Sequence, residues 1–424
     1  MDTIFALSSG RPPAGIAVIR VSGANAGTAL QALAGPLPPP RKAVVRHLFA
    51  ADGLILDQAM VLWLPGPHTV TGEDIAELHL HGGRAVVAGV ESALAAVEAL
   101  RPAVAGEFTR RAFLNGRIDL AQAEGLADLL AAETEIQRRC AMAMAEGEFS
   151  VLVSHWQEEL LLLSASIEAV LDFSDEDDVA ALPATFGDRL ADLSADLEGW
   201  LKKPGAEKLK DGFRVVLSGP PNVGKSTLFN ALVGEEAAIT SPLAGTTRDV
   251  LSASVALEGI PFQFIDTAGL HAAPRDVVEE IGIARAQKVV GDADVVLWLG
   301  EEGQGPSESW EVAARADCDD FVAKPSARHT VSAQSGLGVD HLRQDLVAHA
   351  RQVLPKPGDA ALSSWQKQCL RDASDMLCAA KTEHDPLLIS ERLRLARAAF
   401  DRLTGRAGTE DMLDALFGRF CIGK

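Results

Sequence analysis

Apolar positions along the chain fall into three textures. From residue 1 to 118, short runs such as "GIAVIRVSG", "AMVLWLP" and "IAELHLHGG" alternate apolar and polar residues, which predicts strands separated by turns and helical pieces. The prolines of "GPLPPPRK" mark a loop, because they forbid both a helix and a central strand. From residue 119 the apolar positions recur three and four apart, in "LAQAEGLADLLAAETEIQRRC", "WQEELLLLSASIEAVLDF" and "FGDRLADLSADLEGWLKK", which predicts long amphipathic helices. That texture returns from about residue 361 to the end. Between the two helical stretches, bounded by "KKPGAEKLKDG" and "LPKPGDA", strand and helix signals alternate over a domain-sized interval. The expected architecture is multidomain α/β plus all-α: an α+β N-terminal domain at 1–118, a helical domain of 119–208 and 356–424, and an α/β domain at 209–355 inserted into it. No short repeat or low-complexity tract interrupts this pattern.

Composition narrows the setting. The 424 residues are 47% hydrophobic and 23% charged, an ordinary globular balance. The most apolar stretch, "LLLSASIEAVL", is too short for a membrane span and is broken by Glu168. "MDTIFALSSG" lacks the basic and apolar regions of a secretory signal. Five scattered cysteines without a CxxC pair fit a reducing compartment, so a cytoplasmic location without membrane attachment is expected. A formal net charge of −20 opposes an unaided grip on nucleic acid, which needs a basic face or a partner's surface.

The strongest chemical signal is "FRVVLSGPPNVGKSTLFNALVG". An apolar run at 213–218 precedes Gly219-x-x-x-x-Gly224-Lys225-Ser226, and a helical pattern follows. Glycines at this spacing let backbone N–H groups face phosphates, and the positive end of the next helix points at them. Lys225 would neutralise the β and γ phosphates, and the Ser226 hydroxyl would bind Mg2+. Downstream, "GTTRD" offers Thr247 to complete the Mg2+ shell, and "FQFIDTAG" is a strand ending at Asp266, with the Gly269 amide near the γ-phosphate. This order is that of a Ras-like GTPase.

Two departures matter. Leu270 follows the DTAG run, and an aliphatic side chain cannot polarise water, so one of Asp276, Glu279 or Glu280 in "HAAPRDVVEEIGIARA" is a candidate to orient it. Asn222 inside the loop could hold a monovalent cation beside the phosphates, or simply be a polar loop residue. The Asn-Lys-x-Asp run that reads guanine is sought in "DCDDFVAKPSARHTVSAQSG", where only Ala323-Lys324-Pro325-Ser326 is found. Losing the bidentate acid would cost on the order of 1.5–3 kcal/mol, which questions guanine preference. Ser332-Ala333-Gln334 resembles the second base-contacting loop.

In the flanks, Glu77, His79 and His81 share one strand face, either as a polar pocket wall or as metal ligands. Arg110, Arg111 and Arg117 form either an anion-binding patch or a solvated face.

Together "TGEDIAELHLHGG", "GEFTRRAFLNGRIDLAQAEG", "IEAVLDFSDED", "GPPNVGKSTLFNALVG", "AGTTRDVL", "DTAGL" and the terminal "FCIGK" resemble the MnmE (TrmE) family, GTPases that modify tRNA wobble uridine. The likeness runs over nearly the whole chain. It implies a folate-binding-like N-terminal domain that forms a homodimer and holds 5-formyl-tetrahydrofolate or a related one-carbon donor. Arg20, Glu77, Arg117 and Lys424 match its folate contacts. It implies a potassium site at Asn222 with the carbonyls of Ser241, Leu243 and Thr246, and it singles out Glu279 as the catalytic glutamate. The positions it implies for GTP are Asn222, Val223, Gly224, Lys225, Ser226 and Thr227, then Ser241, Pro242, Leu243, Ala244, Gly245, Thr246 and Thr247. Asp266, Thr267, Ala268 and Gly269 follow, with Ser332, Ala333 and Gln334 at the base. The resemblance further implies G domains that dimerise across nucleotide in potassium. It also implies an FAD-dependent partner of the MnmG (GidA) kind, which supplies much of the surface for tRNA and with which C5 of U34 receives an aminomethyl-type group.

Cys421 stands where a prenylated cysteine would, but Gly423 and Lys424 do not suit a prenylation box. By resemblance the tail returns to the folate pocket, where Cys421 is a functional thiol or a positioning residue. Two other classes stay in view: a nucleotide-gated folate-binding scaffold with impaired hydrolysis or guanine specificity, and a ribosome-assembly GTPase. The folate-like first domain, the terminal "FCIGK" and the lack of a basic RNA-binding module disfavour the second.

Overall fold

A computed structural model describes residues 2–172, 182–234, 251–267, 288–319, 321–406 and 410–424. The chain divides into two compact units, one of residues 1–127 with 400–424 and one of 128–399.

The first unit is built on a six-stranded sheet of β1 (Thr3–Leu7), β2 (Ile16–Ser22), β3 (Val44–Phe49), β4 (Ile55–Leu64), β5 (Ile75–His81) and β6 (Leu100–Pro102), in the order β3-β4-β5-β2-β1-β6. Every pairing is antiparallel except β1 with β6. The period-two pattern does what alternation requires. Ala76, Leu78 and Leu80 of β5 and Ala17, Ile19 and Val21 of β2 pack with α1 (Ala26–Ala34) and α2 (Arg84–Ala95), while Glu77, His79 and Arg20 are left on the other face. Ile4 and Ala6 of β1 close part of that second face with Phe108 of α3 (Glu107–Leu114). The remainder is open: Val45, Met60, His79 and Val18 are successive partners across β3, β4, β5 and β2, and Val45 and Met60 are 61% and 38% exposed.

The segment Phe400–Lys424 packs with this first unit. Ile422 bridges to Ala105, and Arg110 pairs with Asp414 of a short helix near the C-terminus at 2.8 Å.

Helices α4 (Leu120–Ala131), α5 (Glu135–Ala145), α6 (Glu148–Asp172), α7 (Phe186–Leu201) and α8 (Glu207–Asp211) follow in the chain. A capping box between Thr134 and Gln137 starts α5. In α6 the buried Phe149, Val153, Trp156, Leu160, Leu163 and Ile167 keep helical spacing, and Phe149 and Trp156 pack with Trp200 of α7.

The second sheet comprises β7 (Phe213–Ser218), β8 (Leu251–Leu257), β9 (Ile260–Asp266), β10 (Val295–Trp298), β11 (Trp310–Ala313) and β12 (His329–Thr330), ordered β12-β11-β10-β7-β9-β8. All neighbours are parallel except β8 with β9. β7 is central, and Phe213, Val215, Val216 and Leu217 are fully buried, as a strand covered on both faces demands. Helices α9 (Lys225–Val233) and α10 (Val339–Val353) pack into the same core. The chain enters and leaves this region side by side: Gly205 bridges Leu362, and Ala206 N–H donates to the Leu362 carbonyl at 2.9 Å. α11 (Ser364–Thr382), α12 (Pro386–Thr404) and α13 (Glu410–Phe417) complete the chain. No helix among the described residues is long and apolar enough to cross a membrane.

Candidate functional site

In a doubly wound sheet the ligand crevice lies beyond the carboxyl ends of the strands, where the strand order reverses. Here that point is the end of β7. Gly219 leaves the strand at φ +147°, Asn222 takes φ +64°, and Gly224 caps α9 at φ +97°, so the loop turns its backbone inward through conformations that side-chain-bearing residues seldom adopt. Lys225, only 3% exposed, donates from Nζ to the Gly219 and Pro220 carbonyls at 2.9 and 2.7 Å. Burial pushes its ammonium pKa down, and Asp266 opposes that shift. Ser226 Oγ donates to Asp266 Oδ2 at 2.6 Å, and Asp266 is fully buried at the end of β9. A hydroxyl and a carboxylate so close are hard oxygen donors suited to Mg2+, which takes few protein ligands and completes its shell with phosphate and water. Thr267 is tied to the Leu217 carbonyl by its hydroxyl, at 2.9 Å.

Beside the loop lies a cavity of about 250 Å3. Asn222, Gly224 and Thr227 form one wall, Arg315, Asp317 and Cys318 a second, and Ala333 and Gln334 a third. The second wall corrects the sequence reading. The segment that follows the parallel strand next to β10 is Ala314-Arg315-Ala316-Asp317, directly after β11, whereas Ala323–Ser326 does not line the cavity. Lys324 instead donates to Glu311 Oε2 at 3.0 Å and to the Trp298 carbonyl at 3.3 Å, and Ser326 N–H donates to Glu302 at 2.7 Å. Asp317 thus stands where the last residue of an Asn-Lys-x-Asp run would, with Arg in place of Lys and Ala in place of Asn. The available signal is an acid four residues beyond "WEVA", in which Trp310, Val312 and Ala313 are apolar. Ala316 N–H bonds the Val331 carbonyl at 3.1 Å and Cys318 N–H the Arg315 carbonyl at 3.0 Å, which fixes the loop. Gly224 is close enough to this wall that an added Cβ would meet Arg315 Cγ at 3.4 Å.

In the first unit Arg20 and Glu77 face each other across β2 and β5, with Arg20 Nε and Nη2 at 2.9 and 2.8 Å from Glu77 Oε1. His79 Nε2 lies 3.3 Å from the other carboxylate oxygen. The C-terminal tail seats against β1: Gly423, at φ +97°, is so close to Leu7 that a Cβ would reach its carbonyl oxygen at 2.2 Å. Gly106 N–H approaches the Cys421 carbonyl at 3.5 Å. Ala6, the neighbour of Leu7 on β1, pairs with Arg20 of β2. Cys421 is exposed and Lys424 half-buried. Arg117 is exposed and its stem approaches Gly72, five residues before Glu77.

Neither expectation for the arginine cluster describes Arg111. It is 4% exposed and paired with Asp2 at 2.8 Å, Glu73 at 3.1 Å and Glu107 at 3.1 Å, a buried network rather than an anion patch or a solvated face. The Glu77-x-His79-x-His81 face carries no metal-ligating cluster among the described residues. Glu77 is engaged by Arg20 and His79, and His81 by Asp57 at 2.7 Å. Ser241, Pro242, Leu243, Ala244, Gly245, Thr246, Thr247, Ala268, Gly269, Leu270, Asp276, Glu279 and Glu280 lie outside the described residues.

Residues 120–421 match the family model for the MnmE helical domain, and residues 3–117 that for the GTP-binding protein TrmE N-terminus. The tRNA modification GTPase MnmE of Erythrobacter litoralis is 57% identical over 424 residues, covering 100% of both chains. That of Novosphingobium aromaticivorans is 58% identical over 435 residues, again with full coverage of both. Among solved structures, the G domain of the T. maritima FeoB iron transporter matches at 23% identity over 32% of this chain and 98% of that one, with a TM-score of 0.24.

Proposed function

The chain belongs to the MnmE (TrmE) family and is accordingly a GTP hydrolase acting in tRNA modification, and we propose that its guanine nucleotide lies in the cavity between the phosphate loop and the Arg315–Cys318 wall. The observation that carries this is Asp317. A carboxylate on the cavity wall can accept both N1–H and the 2-amino group of guanine, and adenine offers no such pair. Phosphates at the α9 N-terminus draw Lys225 from the Gly219 and Pro220 carbonyls onto their own oxygens. Ser226 and Thr247 would hold Mg2+, with Asp266 reaching it through water, and the ion would supply charge neutralisation at the phosphates. Glu279 orients the attacking water, and Asn222 with the carbonyls of Ser241, Leu243 and Thr246 holds potassium; both roles rest on the resemblance.

We read residues 209–355 as a Ras-like domain inserted into a helical domain of 119–208 and 356–424, and the side-by-side passage of Gly205 and Leu362 supports that reading. Residues 1–118 are read as a folate-binding-like domain that takes the one-carbon donor at Arg20, Glu77, Arg117 and Lys424. The open face bearing Val45 and Met60 supports a homodimer through this domain. The modification at U34 then proceeds with an FAD-dependent MnmG-type subunit and tRNA, in the cytoplasm. The scaffold alternative is not favoured, because its motive was an acid absent from 323–326, and Asp317 supplies one.

Steady-state hydrolysis of GTP and ATP in potassium and then sodium buffer tests the proposal. It expects potassium-dependent GTP turnover with ATP inert. Equal turnover of both nucleotides would overturn the base assignment, and turnover indifferent to the cation would overturn the potassium site.

A further inference from the structure

The loop assigned to the base is held from below. β12 runs through Val331 into Ser332–Leu337, and α10 carries the chain back. Ser332 N–H donates to the Leu337 carbonyl at 2.9 Å and Ser335 N–H to Ser332 Oγ at 3.0 Å, so the loop closes on itself. Gly338, at φ +71°, approaches Thr330 so closely that a Cβ would meet its carbonyl oxygen at 2.2 Å. Strand and helix therefore meet beneath the loop, and His329 is wedged at that junction.

His329 is 4% exposed. Its ring centroid lies 5.9 Å from that of Trp310 on β11 and 5.2 Å from that of His341 on α10. The Nδ1 atoms of the two histidines are 3.4 Å apart. His329 Nε2 is 3.1 Å from Asp345 Oδ2, yet forms no aligned hydrogen bond there. Asp345 also takes Arg328 Nε at 3.1 Å, and the Arg328 guanidinium lies 3.7 Å from the Trp310 ring centre. The charged or titratable groups around His329 are therefore His341 and Asp345 from α10 and Arg328 from the adjoining chain, with His349 of α10 packed on the same Trp310.

We infer that His329 is a positioning residue for the base-binding loop: uncharged, it lets β12 and α10 close beneath Ser332–Gln334, and when protonated it loosens that loop and weakens guanine-nucleotide binding. The inference rests on the nucleotide reading of the cavity given above. Burial holds the imidazole pKa below its ordinary value; Asp345 opposes, while His341 and Arg328 push the same way as burial. Asp345 is already shared with Arg328, and a proton arriving at Nδ1 would face His341. With His329 uncharged, one proton suffices between the two Nδ1 atoms. Since the closed loop holds the proton less tightly than an opened one, the closed form is fully stable above the ordinary histidine pKa of about 6.5 and loses stability as pH falls below it. One proton taken up on opening gives at most about a tenfold loss of affinity per pH unit.

The test is the equilibrium dissociation constant of methylanthraniloyl-labelled GDP for the full chain at pH 7.5, 6.5 and 5.5, in the unmodified protein, His329→Phe and His341→Phe. The nucleotide's own titration is common to all three and cancels in the ratio of constants. The expected result is that the unmodified protein loses more affinity than His329→Phe between pH 7.5 and 5.5, by up to about tenfold, with His341→Phe between them. Ratios constant with pH for both variants would overturn the inference, even with affinity lowered throughout, because a merely structural role moves affinity without moving its pH profile. His341 is exposed, so His341→Phe carries the test should the buried variant fail to fold by circular dichroism. No binding to the unmodified protein at pH 7.5 would overturn the nucleotide reading, and this inference with it.

Discussion

Replacing Asp317 by Asn changes one atom type and leaves the loop's backbone bonds untouched. Those bonds, from Ala316 N–H to Val331 and from Cys318 N–H to Arg315, hold the wall in place at 3.1 and 3.0 Å. What changes is the surface shown to the base. A carboxylate accepts two charge-assisted hydrogen bonds from guanine, each worth roughly 1.5–3 kcal/mol. Asp317 is exposed, so the lower end applies. An amide keeps one acceptor and sets an N–H2 against a guanine donor, for a total loss of about 3 kcal/mol, or roughly 150-fold in affinity. Xanthine carries a carbonyl in place of the 2-amino group and is complementary to the amide. Asp317→Asn is therefore expected to raise KM for GTP by about two orders of magnitude, to leave kcat near its original value, and to gain xanthosine triphosphate as a substrate. Steady-state kinetics with both nucleotides reads this directly. Ser326→Ala serves as the contrast and is expected to leave KM for GTP unchanged. An unchanged KM in Asp317→Asn, or a large rise in Ser326→Ala, would refute the assignment of the base wall.

Lys225→Ala removes a buried ammonium whose partners are two loop carbonyls, and GTP affinity should fall about 10- to 100-fold with the far-ultraviolet spectrum unchanged, as titration calorimetry would read. Glu279→Ala should lower GTP turnover at least about 100-fold while sparing nucleotide affinity; persistent turnover would move the role to another carboxylate. Gly423→Ala sets a Cβ 2.2 Å from the Leu7 carbonyl at φ +97°, so the tail must leave its seat. Loss of at least about 1 kcal/mol of thermal stability and of 5-formyl-tetrahydrofolate binding is expected, with GTP hydrolysis kept.

The parts legible in the sequence are those whose chemistry is local. The phosphate loop is a backbone shape, and Gly219, Gly224 and Lys225 encode it at fixed spacing. The alternation of Ala76, Leu78 and Leu80 with Glu77 and His79 encodes a half-covered sheet just as directly. Asp317 escaped because β11 has only four residues, too few for a period, and because Arg and Ala stand where Lys and Asn would mark the motif. Lys324 then offered a false match, although its partner is Glu311. Arg111 escaped for a different reason. Its burial depends on Asp2, Glu73 and Glu107 converging from separate parts of the chain, and no window of sequence holds that information. The seat of the tail against Leu7 is likewise non-local, since no window of sequence joins Gly423 to Leu7.

The central claim is that Asp317, on the wall formed after β11, reads the base. The most direct test is a crystal structure of the full chain with GDP and Mg2+. The account predicts guanine in the cavity, with the Asp317 carboxylate at about 3 Å from N1 and the 2-amino nitrogen, and with the phosphates at the α9 N-terminus. A base bound against Ala323–Ser326, or phosphates away from Lys225, would contradict it.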